Sequence, residues 1–157
     1  SQDRASDDYE FRSSMCSSLC LNWWISGDKP AERIPADFPF EWARKTLEQY
    51  VQYRQYYYGD YYPITNYSQA KEDWMAYQLH CGDRGEGLVV VLKRPKSPYV
   101  AAAFPLHDLE PQADYLVTDL STGKVNTLKG ESLAQDGLKI TLEARPDSAL
   151  FVYKKKP

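Results

Sequence analysis

Residues that serve metals and nucleophiles are scarce in this 157-residue chain, which has two histidines and three cysteines. Cys16, Cys20 and Cys81 cannot all pair with one another, and a chain of this length does not need disulfides as its main support. They read as free thiols. Cys16 and Cys20 stand four apart, but no second Cys or His pair follows at zinc-like spacing, so small buried hydrophobes are expected rather than a metal pair. No metal or other cofactor is expected. His80 and His107 belong to no nucleophile motif such as GxSxG and read as structural. Gly82-Asp83-Arg84-Gly85-Glu86-Gly87 is glycine-rich but runs into a strand, so it lacks the helix N-terminus that holds a phosphate, and a tight turn is expected there.

Positive charge is lacking too. The formal charge is −3, whereas nucleic-acid binding needs a clustered basic surface, and Lys154, Lys155 and Lys156 do not supply one. No apolar run approaches the roughly 20 residues of a membrane-spanning helix, and the N-terminus lacks the charged, apolar and small-residue order of a signal peptide. A soluble chain is expected, with neither nucleic acid nor membrane as partner. Ser1 in first place suits a processed product, so the compartment stays open.

Aromatic residues are abundant at 14%, with 13 tyrosines and 4 tryptophans gathered mainly between Tyr9 and Tyr77. Their apolar bodies and polar tips suit packing, protein interfaces and sugar stacking alike. Composition divides the chain near residue 80. Before it, Phe11, Met15, Cys16, Leu19, Cys20, Trp23 and Trp24 recur at helical spacing, and Ser26 to Pro30 carries the glycine and proline that stop a helix. After prolines 30, 35 and 39, a second helix is predicted over Phe40 to Tyr58, on the stripe Ala43, Leu47, Tyr50, Val51 and Tyr57. Gly59 and Asp60 end it, a proline-containing loop follows, and Lys71 to Leu79 is predicted as a short helix with Trp74 and Tyr77 on one side.

Beyond Gly85 the period becomes that of strands, at Leu88 to Lys93, Tyr99 to Leu106, Asp114 to Asp119, Leu138 to Leu142 and Ala149 to Tyr153. Six or seven strands with close turns fit an antiparallel sandwich or barrel, with no room for helices between them. The predicted fold is therefore α+β: a helical segment over residues 1–80 and an antiparallel β-sandwich over residues 81–157.

The run Tyr56-Tyr57-Tyr58-Gly59-Asp60-Tyr61-Tyr62-Pro63-Ile64-Thr65, with Asp73 to Gln78 behind it, resembles a particular region of α-galactosidase (melibiase-like) retaining glycoside hydrolases. There the last helix of a TIM barrel passes into a C-terminal β-domain. Gly85-Glu86-Gly87, Arg94-Pro95, Leu109-Glu110-Pro111, Tyr115 with Asp119, and the closing Pro146, Ser148, Ala149 and Tyr153 are similar in order and spacing. Tyr9 to Ser13 resembles the start of the barrel's last βα unit.

The resemblance implies a remnant of a (β/α)8 barrel in the first 80 residues. The catalytic aspartates of such an enzyme lie on earlier strands, with carboxyls about 5 to 5.5 Å apart. No Asp here matches those motifs. The chain is thus expected to be a non-catalytic C-terminal fragment of a glycoside hydrolase, its β-domain covering and stiffening the barrel. Its partner would be the rest of that catalytic domain, and carbohydrate would be reached through the parent. Arg12 is the one position expected near a sugar site; an ion pair with Glu10 or Asp8 is the alternative. Tyr58, Tyr61, Tyr62, Trp74 and Tyr77 are expected to pack the junction between helix and β-domain, and exposure of such rings would favour self-association. Two other functions stay open, a carbohydrate-binding module and an aromatic-rich protein-interaction domain. A binding module would show two or three aromatic faces open to solvent on the β-domain.

Overall fold

A computed structural model of the chain describes residues 5–19 and 38–157. Cys20, Trp23 and Trp24, the stop at Ser26 to Pro30, and Pro35 lie outside these. Helix α1 spans Ala5–Ser13, with Asp7 and Asp8 in its first turn and Arg12 in its last, the order of charge that a helix dipole favours. It ends before Met15, Cys16 and Leu19 of the predicted apolar stripe: Ser14 to Leu19 are not helical, and Cys16 is exposed. Tyr9 to Ser13, expected to open a βα unit, is therefore helical.

Helix α2 spans Phe40–Tyr53 and continues as a 3-10 helix over Arg54–Tyr58. Its inner face carries Ala43, Thr46 and Tyr50, with Leu47 half-buried. Its outer face carries Arg44, which bonds Glu41 and Glu48 at 2.9 and 2.8 Å. The predicted stop holds. Gly59 runs so close to the backbone of β2 that a Cβ would collide with the His80 carbonyl.

Eight strands follow: β1 Asp60–Pro63, β2 Trp74–Cys81, β3 Glu86–Lys93, β4 Ala101–Phe104, β5 Asp114–Asp119, β6 Val125–Lys129, β7 Leu138–Thr141 and β8 Asp147–Lys155. A short helix, α3 at Gly130–Gln135, lies between β6 and β7, where no helix was expected. All pairs are antiparallel. Six strands form one sheet in the order β1-β2-β3-β8-β5-β6, and β4 pairs with β7 in a second.

The sheet thus begins at Asp60, and residue 80 falls inside β2. Strand β1 takes the first four residues of the predicted loop after Gly59, the loop then running to Asp73, and Trp74 to Leu79 of the predicted helix over Lys71 to Leu79 belong instead to strand β2. Trp74 and Tyr77, three apart, would share a helix face, but in a strand they point to opposite faces. Gly82 to Gly85 forms the expected tight turn, in register from Cys81↔Glu86.

The large sheet is covered on both sides. Tyr77, Leu79, Leu88, Val90, Leu92, Leu150 and Val152 face one way, where Phe11, Met15, Tyr50 and Tyr56 of the helical layer meet them. Ala76, Val89, Val91, Ala149 and Tyr153 face the other, against Phe104, Leu133, Leu138 and Ile140 of the small sheet and α3. The result is β-rich, with few helices and a sheet-on-sheet layer on one side. Among the described residues no helix is long and apolar enough to cross a membrane.

Candidate functional site

Arg12 stands on α1, not at a strand end, and is 6% exposed. Its guanidinium donates from one nitrogen to the Ser148 carbonyl at 2.8 Å and the Ser148 hydroxyl at 3.2 Å, and from another to the Ser121 hydroxyl at 3.1 Å. Burial lowers its pKa, and the carboxylates of Asp8, Asp119 and Asp147 work the other way. It lines an open cleft of about 430 Å3, which those three aspartates and Lys124 also line. Asp8 in turn accepts from the Trp42 indole at 2.7 Å, so one charged cluster ties α1, α2 and the sheet together.

A second polar cluster lies on the opposite face of the sheet. Gln78, His80 and Tyr153 are fully buried. The Gln78 amide donates to the Tyr153 hydroxyl at 2.7 Å and to the His107 carbonyl at 2.9 Å, and its oxygen accepts from the His107 N–H at 2.7 Å. The same hydroxyl meets His80 Nδ1 at 2.7 Å. The Tyr153 hydroxyl thus bridges Gln78 and His80, and His80 Nε2 lies 3.9 Å from the Asp108 carboxylate. Among the described residues no buried side-chain nitrogen or oxygen of this network lacks a hydrogen-bond partner.

The five junction aromatics divide. Tyr77 is buried at the seam with the helical layer, its hydroxyl 2.9 Å from that of Tyr57. Tyr61 leans on Tyr77 with centroids 5.5 Å apart, yet is 57% exposed, and Tyr58 is 83% exposed. Tyr62 stacks on His107 at 5.3 Å, away from the helices. Trp74 lies on the far face with Phe104, 5.8 Å away, and donates to the Ser97 hydroxyl at 2.9 Å.

Burial pushes the Tyr77 phenol up to about 12, and that of Tyr57 further. Unfolded tyrosines ionise near 10. A folded pKa above the unfolded one contributes stability that is whole below pH ~10 and is lost as pH rises towards ~12. Alkaline titration should therefore unfold the chain within that window, and Tyr77→Phe, which removes one ionising group, should shift the transition upward in pH, as followed by tyrosinate absorbance and circular dichroism.

This architecture has solved counterparts. It overlays on the galactosidase domain of the α-galactosidase-sucrose kinase AgaSK with a TM-score of 0.60 at 16% identity, over 84% of this chain and 17% of that one. The GH36 α-galactosidase AgaB from Geobacillus stearothermophilus gives 0.60 at 18% identity over the same shares. The α-galactosidase from Lactobacillus brevis gives 0.60 at 20% identity, over 78% of this chain and 17% of that one. The fold recurs inside α-galactosidases. The chain spans about a sixth of those proteins, and at such identities the likeness is one of fold. No protein-family model and no curated protein sequence matches the chain.

Against that background the acids matter most. Glu86 is the buried carboxylate among the described residues, and Arg84 and Lys154 hold it at 3.1 and 3.0 Å. Asp119 accepts from the backbone and side chain of its own turn, at Ser121 and Thr122. Sequence reasoning missed Gln78 and Tyr153 as partners of His80. The one available signal was Gln78 and His80 two apart among the apolar residues of β2, which marks a shared strand face.

Proposed function

We propose that this chain is the C-terminal, non-catalytic part of a retaining glycoside hydrolase of the α-galactosidase type, whose role is to cover and stiffen the catalytic barrel. The observation that carries it is the likeness of 84% of the chain to a sixth of several α-galactosidases, joined to the sequence resemblance around Tyr56 to Thr65. On this reading the helical layer is the side that continues from the barrel, α1 and α2 being remnants of its last units. Arg12 is an anchor that holds α1 to β8; its buried guanidinium is already engaged by Ser148 and Ser121, which leaves it little to offer a sugar.

The parent barrel would meet the chain at edge strand β1 and the end of the 3-10 helix before it, where Tyr61 and Tyr58 present rings that the chain itself leaves open to solvent. An unpaired edge with exposed aromatics calls for a cover. Without the barrel, this edge should support self-association. Sedimentation velocity over rising concentration should show it, and Tyr58→Ser with Tyr61→Ser should abolish it while lowering the melting temperature by less than about 3 °C. A chain that stays monomeric throughout, or an association indifferent to both substitutions, would remove this edge from the proposal.

A further inference from the structure

On the face of the sheet away from the helices, the β1–β2 connection and the start of β4 line an open cleft of about 470 Å3 that no part of the proposed hydrolase role employs. Its size falls within the range of small-ligand sites, roughly 300–1,000 Å3. Tyr67 and Tyr99 line it with rings 86% and 69% exposed, and Trp74 lines it half-buried. We infer that this cleft is a binding site for neutral carbohydrate, with the two tyrosines as stacking faces and Asp73 as the hydrogen-bond acceptor.

Three features specify that ligand. Pyranose rings pair flat C–H faces with a rim of hydroxyls, and the cleft pairs aromatic rings with the polar groups of Asn66, Ser68 and Asp73. Its lining contains no Lys or Arg, which disfavours phosphate, nucleotide and acidic sugar. Within the lining, Trp74 is held in place before any ligand arrives, and the exposed side chains of Tyr67 and Asp73 and the half-buried Ser68 carry local hydrogen bonds. The Gln69 amide donates to the Tyr67 hydroxyl at 2.5 Å, Ser68 donates to Asp73 at 2.5 Å, and the Trp74 indole is fixed by Ser97. A side chain already held loses less entropy on binding. The inference rests on the cleft's own lining and stands whether or not the parent is a hydrolase.

The test is titration of the 157-residue chain with raffinose, maltotetraose and cellotetraose, followed by calorimetry and saturation-transfer NMR, with a uronic-acid oligosaccharide as control. One neutral sugar should bind with a dissociation constant on the order of 1 mM, and the acidic one should not. Tyr67→Ala and Tyr99→Ala should each weaken binding about tenfold, and both together should abolish it, with the melting temperature unchanged because both rings are exposed. Asp73→Asn should weaken binding about threefold. No binding of any neutral sugar at tens of millimolar would overturn the inference. So would binding indifferent to the double substitution, or a self-association lost on that substitution without any sugar binding, which would make the cleft a protein contact.

Discussion

Tyr153→Ala should be the most damaging single substitution in the chain, lowering stability by about 3–5 kcal/mol. The ring is fully buried between Tyr115, edge-on at 6.0 Å, and His80, parallel at 5.9 Å. Its removal opens a cavity beside the central strands and strips Gln78 and His80 of a shared partner. Even a Cβ on Gly87 would collide with this phenol, so the backbone opposite is shaped to it and cannot fill the space. Tyr153→Phe separates the two losses, because it keeps the ring and leaves His80 Nδ1 without its bond, for about 1–3 kcal/mol. Urea unfolding of both variants gives the two values. A Phe variant within about 0.5 kcal/mol of the parent would mean that the network is decoration on an apolar core.

Arg12→Ala should cost about 2–4 kcal/mol, since it leaves buried acceptors at Ser148 and three half-buried aspartates without their cation. Arg12→Lys should recover less than half of this, because an ammonium does not reproduce a planar fork that reaches Ser148 and Ser121 together. The loss should be local first. Trp42 is coupled to the cluster through Asp8, so its fluorescence should change at lower urea than the circular dichroism of the sheet. One coincident transition at wild-type midpoint would show that α1 is not held by this arginine.

The elements that the sequence disclosed are those whose surroundings impose one period. Helix α2 has a solvated outer face, so its apolar stripe is legible, and β5 alternates because Leu116 is exposed while Tyr115 and Val117 are buried. Strand β2 is covered on both faces along most of its length, which erases alternation, and Trp74 with Tyr77 mimics a helical pair. Strand β6 is an exposed edge, Val-Asn-Thr-Leu-Lys, with too little buried surface to leave a pattern. The apolar spacing runs past the end of helix α1 because Met15 packs in the same core as Phe11 without being helical.

The polar clusters were illegible for another reason. Arg12 meets Ser148 across 136 positions of sequence, and Tyr153 meets His80 across 73. Local spacing carries no trace of such contacts. The resemblance around Tyr56 to Thr65 pointed to the α-galactosidases in which this β-rich fold recurs because it concerned the order of segments, whereas the roles given to single rings depended on which face of a sheet each would occupy.

The central claim is that this chain serves a glycoside hydrolase without performing the hydrolysis. It is tested most directly by assaying the purified chain on aryl α-galactosides across pH. The account predicts no turnover above the rate of buffer, from a sample that is folded by circular dichroism. Turnover that survives repurification and is abolished by a single Asp or Glu substitution would contradict it.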